Sequence, residues 1–425
     1  MLKYIQGDPL RFIFLCVLGA LLSGCNQAPS QTGSQEQVVD ENSSPLFQVD
    51  PFWPKTLPNN WSSQQAISIF VDQDDHIWWM NRDNNARGDD IGAEFDPPRQ
   101  LCCVRGPAVI EMDQEGNVLR AWGGPDHHPL FPQGGLQTII IDDEGFVWIA
   151  GTSGQSSITK WTKDGEFVWD FDRRPTDPNW EENNQQTDIL GNKGRFQLDN
   201  DAREIYIVQQ KRVLVYDMDN GEYKRGWGGH GMPLSEVSNE PIAPYVFDGV
   251  SLPPEEEQFV PALHFIEISN DGLVYVGERG QNRMGVYQKD GTWVEDIYIG
   301  AEITPGERNR PPYPPGYENR GITECGSLRG DTPVPPCGTM YKMAFSKDSE
   351  NKYVYVADGT NNVVWIVDRL SGETLGHFGK NGRYAGESHW INAVATDSHG
   401  NIYTGEVETG KRIQKFVPVM TVAGG

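Results

Sequence analysis

Positive charge is scarce in this sequence: 35 Lys and Arg stand against 60 Asp and Glu, a formal net charge of −25 with a pI of about 4.6. Such an acidic surface repels polyanions, which excludes nucleic acid and anionic lipid as primary partners. Cysteine is sparse too, at 6, and no Cys-x-x-Cys pair occurs. A zinc site built from cysteines alone is therefore not expected. No apolar run reaches the roughly 20 residues of a spanning helix. Also missing are a glycine-rich phosphate loop, a serine-hydrolase elbow and a dinucleotide fingerprint.

The N-terminus is the first informative stretch. Lys3 and Arg11 precede an apolar run, Phe12 to Leu22, which closes on Leu22-Ser23-Gly24-Cys25. This resembles the signal peptide and lipobox of bacterial lipoproteins. The resemblance implies cleavage before Cys25 and a diacylglycerol on its thiol. Residues 1–24 are thus read as signal peptide and 25–45 as lipidated cysteine plus disordered tether. The tether is rich in Gln, Ser, Asn and Glu and has too little apolar content to bury. Asn26, rather than Asp, follows the cysteine, which favours an outer-membrane anchor in the cell envelope.

From residue 46 to 425 one phrase recurs six times: an apolar strand, an acidic or polar turn, then a strand with Trp or Tyr. The copies are Ile67-Asp72 with His76-Met80, Thr138-Asp142 with Phe146-Ala150, and Arg195-Asp199 with Glu204-Val208. They continue as Phe265-Ser269 with Leu273-Gly277, Lys342-Ser346 with Tyr353-Ala357, and Ala393-Asp397 with Asn401-Gly405. Asp, Asn and Gly at the turns tolerate left-handed backbone, and the strand residues are β-branched or aromatic. A third strand follows each copy, and a fourth follows the first five. The missing sixth is supplied by Leu46-Phe47-Gln48-Val49-Asp50. The count predicts an all-β, six-bladed β-propeller closed by an N-terminal outer strand, a ring with only short edges.

Insertions near 84–106, 231–261 and 301–338 interrupt the repeat, and loops of this length are commonly functional. In an oxidising compartment the four cysteines of the body point to disulfides. Cys325 and Cys337 flank one loop and make the favoured pair. Cys102 and Cys103 then form a vicinal disulfide or stay reduced; two cross-links between loops are the alternative.

Asp397-Ser-His-Gly-Asn-Ile-Tyr403, Lys411-Arg-Ile-Gln-Lys-Phe416, Asp142-Asp-Glu-Gly-Phe-Val-Trp148 and Arg283-Met-Gly-Val-Tyr287 resemble NHL repeats. Propeller lipoproteins of that kind are similar over roughly 47–418. More distantly, the chain resembles peptidyl-α-hydroxyglycine α-amidating lyase, whose propeller holds a central zinc on three histidines. The resemblance places the equivalent positions at Ile67, Gln137, Gly194, His264, Tyr341 and Asn392, where only His264 is histidine. One imidazole beside two amides is a poor zinc set.

These positions nonetheless converge on the propeller axis. The candidate ligand-binding residues are Gln137, Asn392, Arg82 and Glu406. His264, Tyr341 and Arg279 are the candidate catalytic residues, with His264 the one candidate ligand for zinc or calcium. Three readings stand: a monomeric envelope module that binds a small polar molecule or partner protein through its channel face; an amidating-lyase-like or hydrolase enzyme using a metal or His264; or a scaffold without ligand.

Overall fold

A computed structural model of the chain describes residues 44–82, 86–132, 135–152, 157–191, 193–242, 252, 256–304 and 338–419. Cys25, Cys325 and Cys337, and most of the 301–338 insertion, lie outside them. The described chain forms six four-stranded antiparallel sheets. It is a six-bladed β-propeller. The innermost strands are Gln65–Val71, Leu136–Ile141, Phe196–Asp199, Leu263–Ile268, Lys342–Phe345 and Ile391–Thr396. They neighbour one another in chain order, and the last returns to the first.

The ring closes as the strand count predicts. Leu46–Val49 pairs with Ile413–Val419 in the register Leu46↔Val419 to Val49↔Phe416, so blade 6 takes its outer strand from the opposite end of the chain. Phe47 inserts between blades, its ring 4.9 Å from Phe378 and 5.6 Å from Tyr355.

In blades 1, 2 and 6 the turn of the recurrent phrase is held by one carboxylate, while Ser269 and Ser346 accept the turn amides of blades 4 and 5 through their hydroxyls. Asp142 Oδ1 accepts the backbone N–H of Glu144 and Phe146 at 3.1 and 2.7 Å, while Oδ2 accepts Trp148 Nε1 at 2.8 Å. Asp72 does the same for Asp74, His76 and Trp78, and Asp397 for His399, Asn401 and the Tyr403 hydroxyl. This is why an acid closes the first strand and an aromatic sits in the second. Burying the indole requires a partner for its N–H, and the turn needs an acceptor for its orphan amides. Second strands such as Val147–Gly151 and Ile402–Glu406 are buried along their whole length because both faces meet neighbouring blades.

The three insertions leave from the end of the ring where the innermost strands begin. Arg82 pairs with Gln65 there, and the other two insertions lead directly into the innermost strands of blades 4 and 5. Within the first, Val104–Arg105 pairs in parallel with Trp61–Ser62. Cys102 and Cys103 are joined to each other, the one disulfide among the described residues. A further connection, 172–194, packs onto blade 3, with Leu190 and Lys193 fully buried.

Candidate functional site

The two ends of the axial channel differ. At the end bearing the insertions, four innermost strands carry a β-bulge. The ladder passes from Ala66 to Ser68, Leu136 to Thr138, Leu263 to Phe265 and Ile391 to Ala393, leaving Ile67, Gln137, His264 and Asn392 as the extra residues. A bulge re-aims its residue out of the pleat. All four line one gap with Tyr341 and Arg195. Its free volume is about 10 Å³, room for about one water.

Of the candidate catalytic residues, His264 lies against Tyr341 with ring centroids 5.2 Å apart, and its Nε2 is 3.4 Å from Arg195 Nη2. The Arg279 guanidinium stands 4.9 Å from the Tyr341 ring. Burial, then the charges of Arg279 and Arg195, hold the His264 imidazole well below its usual range, against a hydrogen bond with the Tyr341 backbone. Burial and those charges both disfavour its protonated form.

The candidate ligand-binding residues divide. Gln137 and Asn392 line the gap. Arg82 donates to the Leu136 carbonyl at 2.7 Å and to Gln137 Oε1 at 3.0 Å, holding the bulge in place. Burial lowers its guanidinium to about 10, opposed by the Glu408 carboxylate. Glu406 is fully buried within blade 6. Its oxygens accept from Arg412 Nε at 2.6 Å, Gln414 Nε2 at 2.8 Å and the His389 N–H at 2.9 Å. Glu278 makes the matching set with Arg283 and the Val260 N–H. These carboxylates tie the second strand to the third and to the incoming loop.

The gap does not fit zinc or calcium. His264 is its one imidazole, no carboxylate or thiolate lines it, and two guanidinium groups stand close by. Among the described residues, Asp72, His76 and Glu111 have ligating atoms grouped closely enough for a metal. Lys163 lies 3.2 Å from Asp72, Arg120 2.6 Å from Glu111, and His76 2.8 Å from Glu111. Two cations already neutralise the cluster, which cross-links blades 1 and 2.

The opposite end of the channel holds a cavity of about 330 Å³. Its wall includes the residues two positions before each strand-ending Asp or Ser: Phe70, Ile140, Gln197, Glu267, Ala344 and Ala395. The two alanines make the space. Polar groups come from blades 3 to 5, where Glu267 pairs with Lys342 and accepts from Gln197 Nε2. Blades 6, 1 and 2 contribute apolar wall apart from Thr396. Sequence reasoning passed over this ring, although its signal was present: a Gln and a Glu at inward positions that Ile and Phe occupy in other blades.

No family model matches the sequence, and no curated protein matches it. Among solved structures, virginiamycin B lyase from Staphylococcus aureus aligns at 12% identity over 84% of this chain and 85% of its own, TM-score 0.42. A streptogramin B lyase aligns at 12% over 88% and 98%, TM-score 0.45. A structural genomics protein of unknown function from Bacteroides thetaiotaomicron aligns at 12% over 89% and 73%, TM-score 0.46. At that distance the matches carry no argument about activity, and the propeller assignment rests on the strand pairing. The resemblances to NHL repeats and to the amidating lyase gain nothing from them.

Proposed function

We propose that this protein is a small-ligand-binding propeller of the bacterial cell envelope, anchored through a lipid on Cys25, with its ligand held in the axial channel. The carrying observation is the cavity of about 330 Å³ on the axis. That volume lies within the range of about 300–1,000 Å³ usual for ligand sites, and a few convergent polar groups in an apolar wall are their common chemistry. The gap around His264 is too small to hold a ligand as it stands, so the binding end is the one away from the insertions.

A thermal-shift screen of the full chain in detergent against a diverse set of small molecules tests the site. Hits should compete with one another and be lost in Ala344→Leu, which fills the cavity. An Ala344→Leu protein that folds and keeps every hit refutes it. The anchor has its own test: radiolabelled palmitate should mark the wild type and not Cys25→Ala.

The enzyme reading has one observation in its favour, the buried His264 ring against Tyr341. It requires the substrate to reach the insertion-bearing end.

A further inference from the structure

We infer that the axial cavity selects a small carboxylate with a compact apolar body. The inference rests on the binding function proposed above and adds the ligand class. Among its described lining residues the cavity has one acid, Glu267, and two bases, Lys342 and Lys347. Glu267 is already engaged by Lys342 and by the Gln197 amide, so its charge is answered within the wall. Lys342 carries three N–H donors and directs one to Glu267. Lys347 is exposed at the rim, where an arriving anion first meets it. Glu267 and Lys342 balance, so the described lining carries one excess positive charge, that of Lys347, which also acts on the Asp75 carboxylate.

The polar and apolar groups occupy opposite halves of the ring. Gln197, Glu267 and Lys342 belong to blades 3, 4 and 5, while Phe70 and Ile140 belong to blades 1 and 2 and Ala395 to blade 6. A ligand fits both halves when one end carries charge and the other carries none. The carboxylate then meets Lys342 beside the Gln197–Glu267 pair. The body lies along Phe70 and Ile140 over the space left by Ala344 and Ala395. An apolar wall lowers the local dielectric and strengthens that contact.

Phenylacetate and phenethylamine test the inference, since they share a body and carry opposite charge. Binding to the full chain in detergent is measured by calorimetry at low ionic strength. Phenylacetate should bind at least about tenfold tighter than phenethylamine, a preference of about 1.4 kcal/mol. The preference should disappear in Lys342→Gln and shrink in Lys347→Gln, a rim change that leaves the Glu267 pair intact. If phenethylamine binds as well or better, and both are lost in Ala344→Leu and Ala395→Leu, the carboxylate class is overturned while the cavity remains the binding site. If neither probe binds, the carboxylate class is overturned and the binding function is judged by its own screen; if a probe binds and cavity filling changes nothing, the site falls with the inference.

Discussion

Replacing Asp142 by alanine tests whether one carboxylate governs a blade. The side chain is buried, and its two oxygens hold three N–H donors and face Lys160 Nζ at 3.1 Å. Trp148 is fully buried, so its indole N–H loses its acceptor with no route to water. An orphaned buried donor costs about 1–3 kcal/mol, and hydrogen bonds to a charged group contribute about 1.5–3 kcal/mol each. The turn amides lie nearer solvent and recover part of their loss. Lys160 keeps Glu144 at 3.5 Å and the Phe146 ring at 4.1 Å. The net expectation is a loss of about 3–5 kcal/mol, a large share of the 5–15 kcal/mol typical of a domain. Asp142→Asn keeps one acceptor oxygen and should lose about half as much. The neighbouring Asp143 is exposed, and Asp143→Ala should stay within about 0.5 kcal/mol. Urea unfolding followed by tryptophan fluorescence measures all three, with an unchanged slope showing that the denatured state is the same. An Asp142→Ala loss below about 1 kcal/mol, or equal losses for the Asn and Ala variants, refutes the turn-clamp account.

Three further outcomes are expected. Deleting Leu46–Val49 opens blade 6 and should lower the melting temperature and broaden the transition; a deletion that melts like the parent rules out a structural role for the closing strand. Asp358 is buried and its carboxyl is raised to about 6 from 3.8, so the folded state holds a proton that the unfolded state has released in that interval. Its penalty, about 3 kcal/mol at most, is present above pH 6 and relieved as pH falls toward 4. Between pH 4 and 6 the slope of stability against pH should therefore differ between wild type and Asp358→Asn, and identical slopes count against the assignment. Elemental analysis of the untagged full chain should find no stoichiometric zinc or calcium that His264→Ala removes.

The blades were legible because their chemistry is local. A strand-ending acid, a turn and an aromatic six residues on from Asp72, Asp142 and Asp397 form one hydrogen-bonded unit, so the unit repeats in sequence as it repeats in space. Counting those units also found the closing strand. The register from the strand-ending Asp and Ser residues identified Gln137, His264 and Asn392 as axial residues. What it could not give was how much room they leave, since that depends on bulges from four blades meeting at once. Glycines opposite the bulges were the available sign: Gly277 faces Phe265, and a side chain at Gly405 would collide with the Ala66 backbone. Glu406 carried no sign of its fate, because its partners Arg412 and Gln414 are ordinary third-strand residues until the pairing is known. Connection 172–194 was not singled out, being polar and without periodicity, yet Asn184 bonds across to Asn239 and fixes it.

The four bulges have a consequence for traffic. Each adds one residue at the same end of its strand, and together they narrow the bore there, while Ala344 and Ala395 hollow it at the other end. Among the described residues the bore is narrow at the first end and wide at the second. A ligand of the proposed cavity would then enter and leave by the rim remote from the long insertions. Changes in those insertions can then alter what docks on their own face while leaving the contents of the cavity, and the rate at which they exchange, untouched.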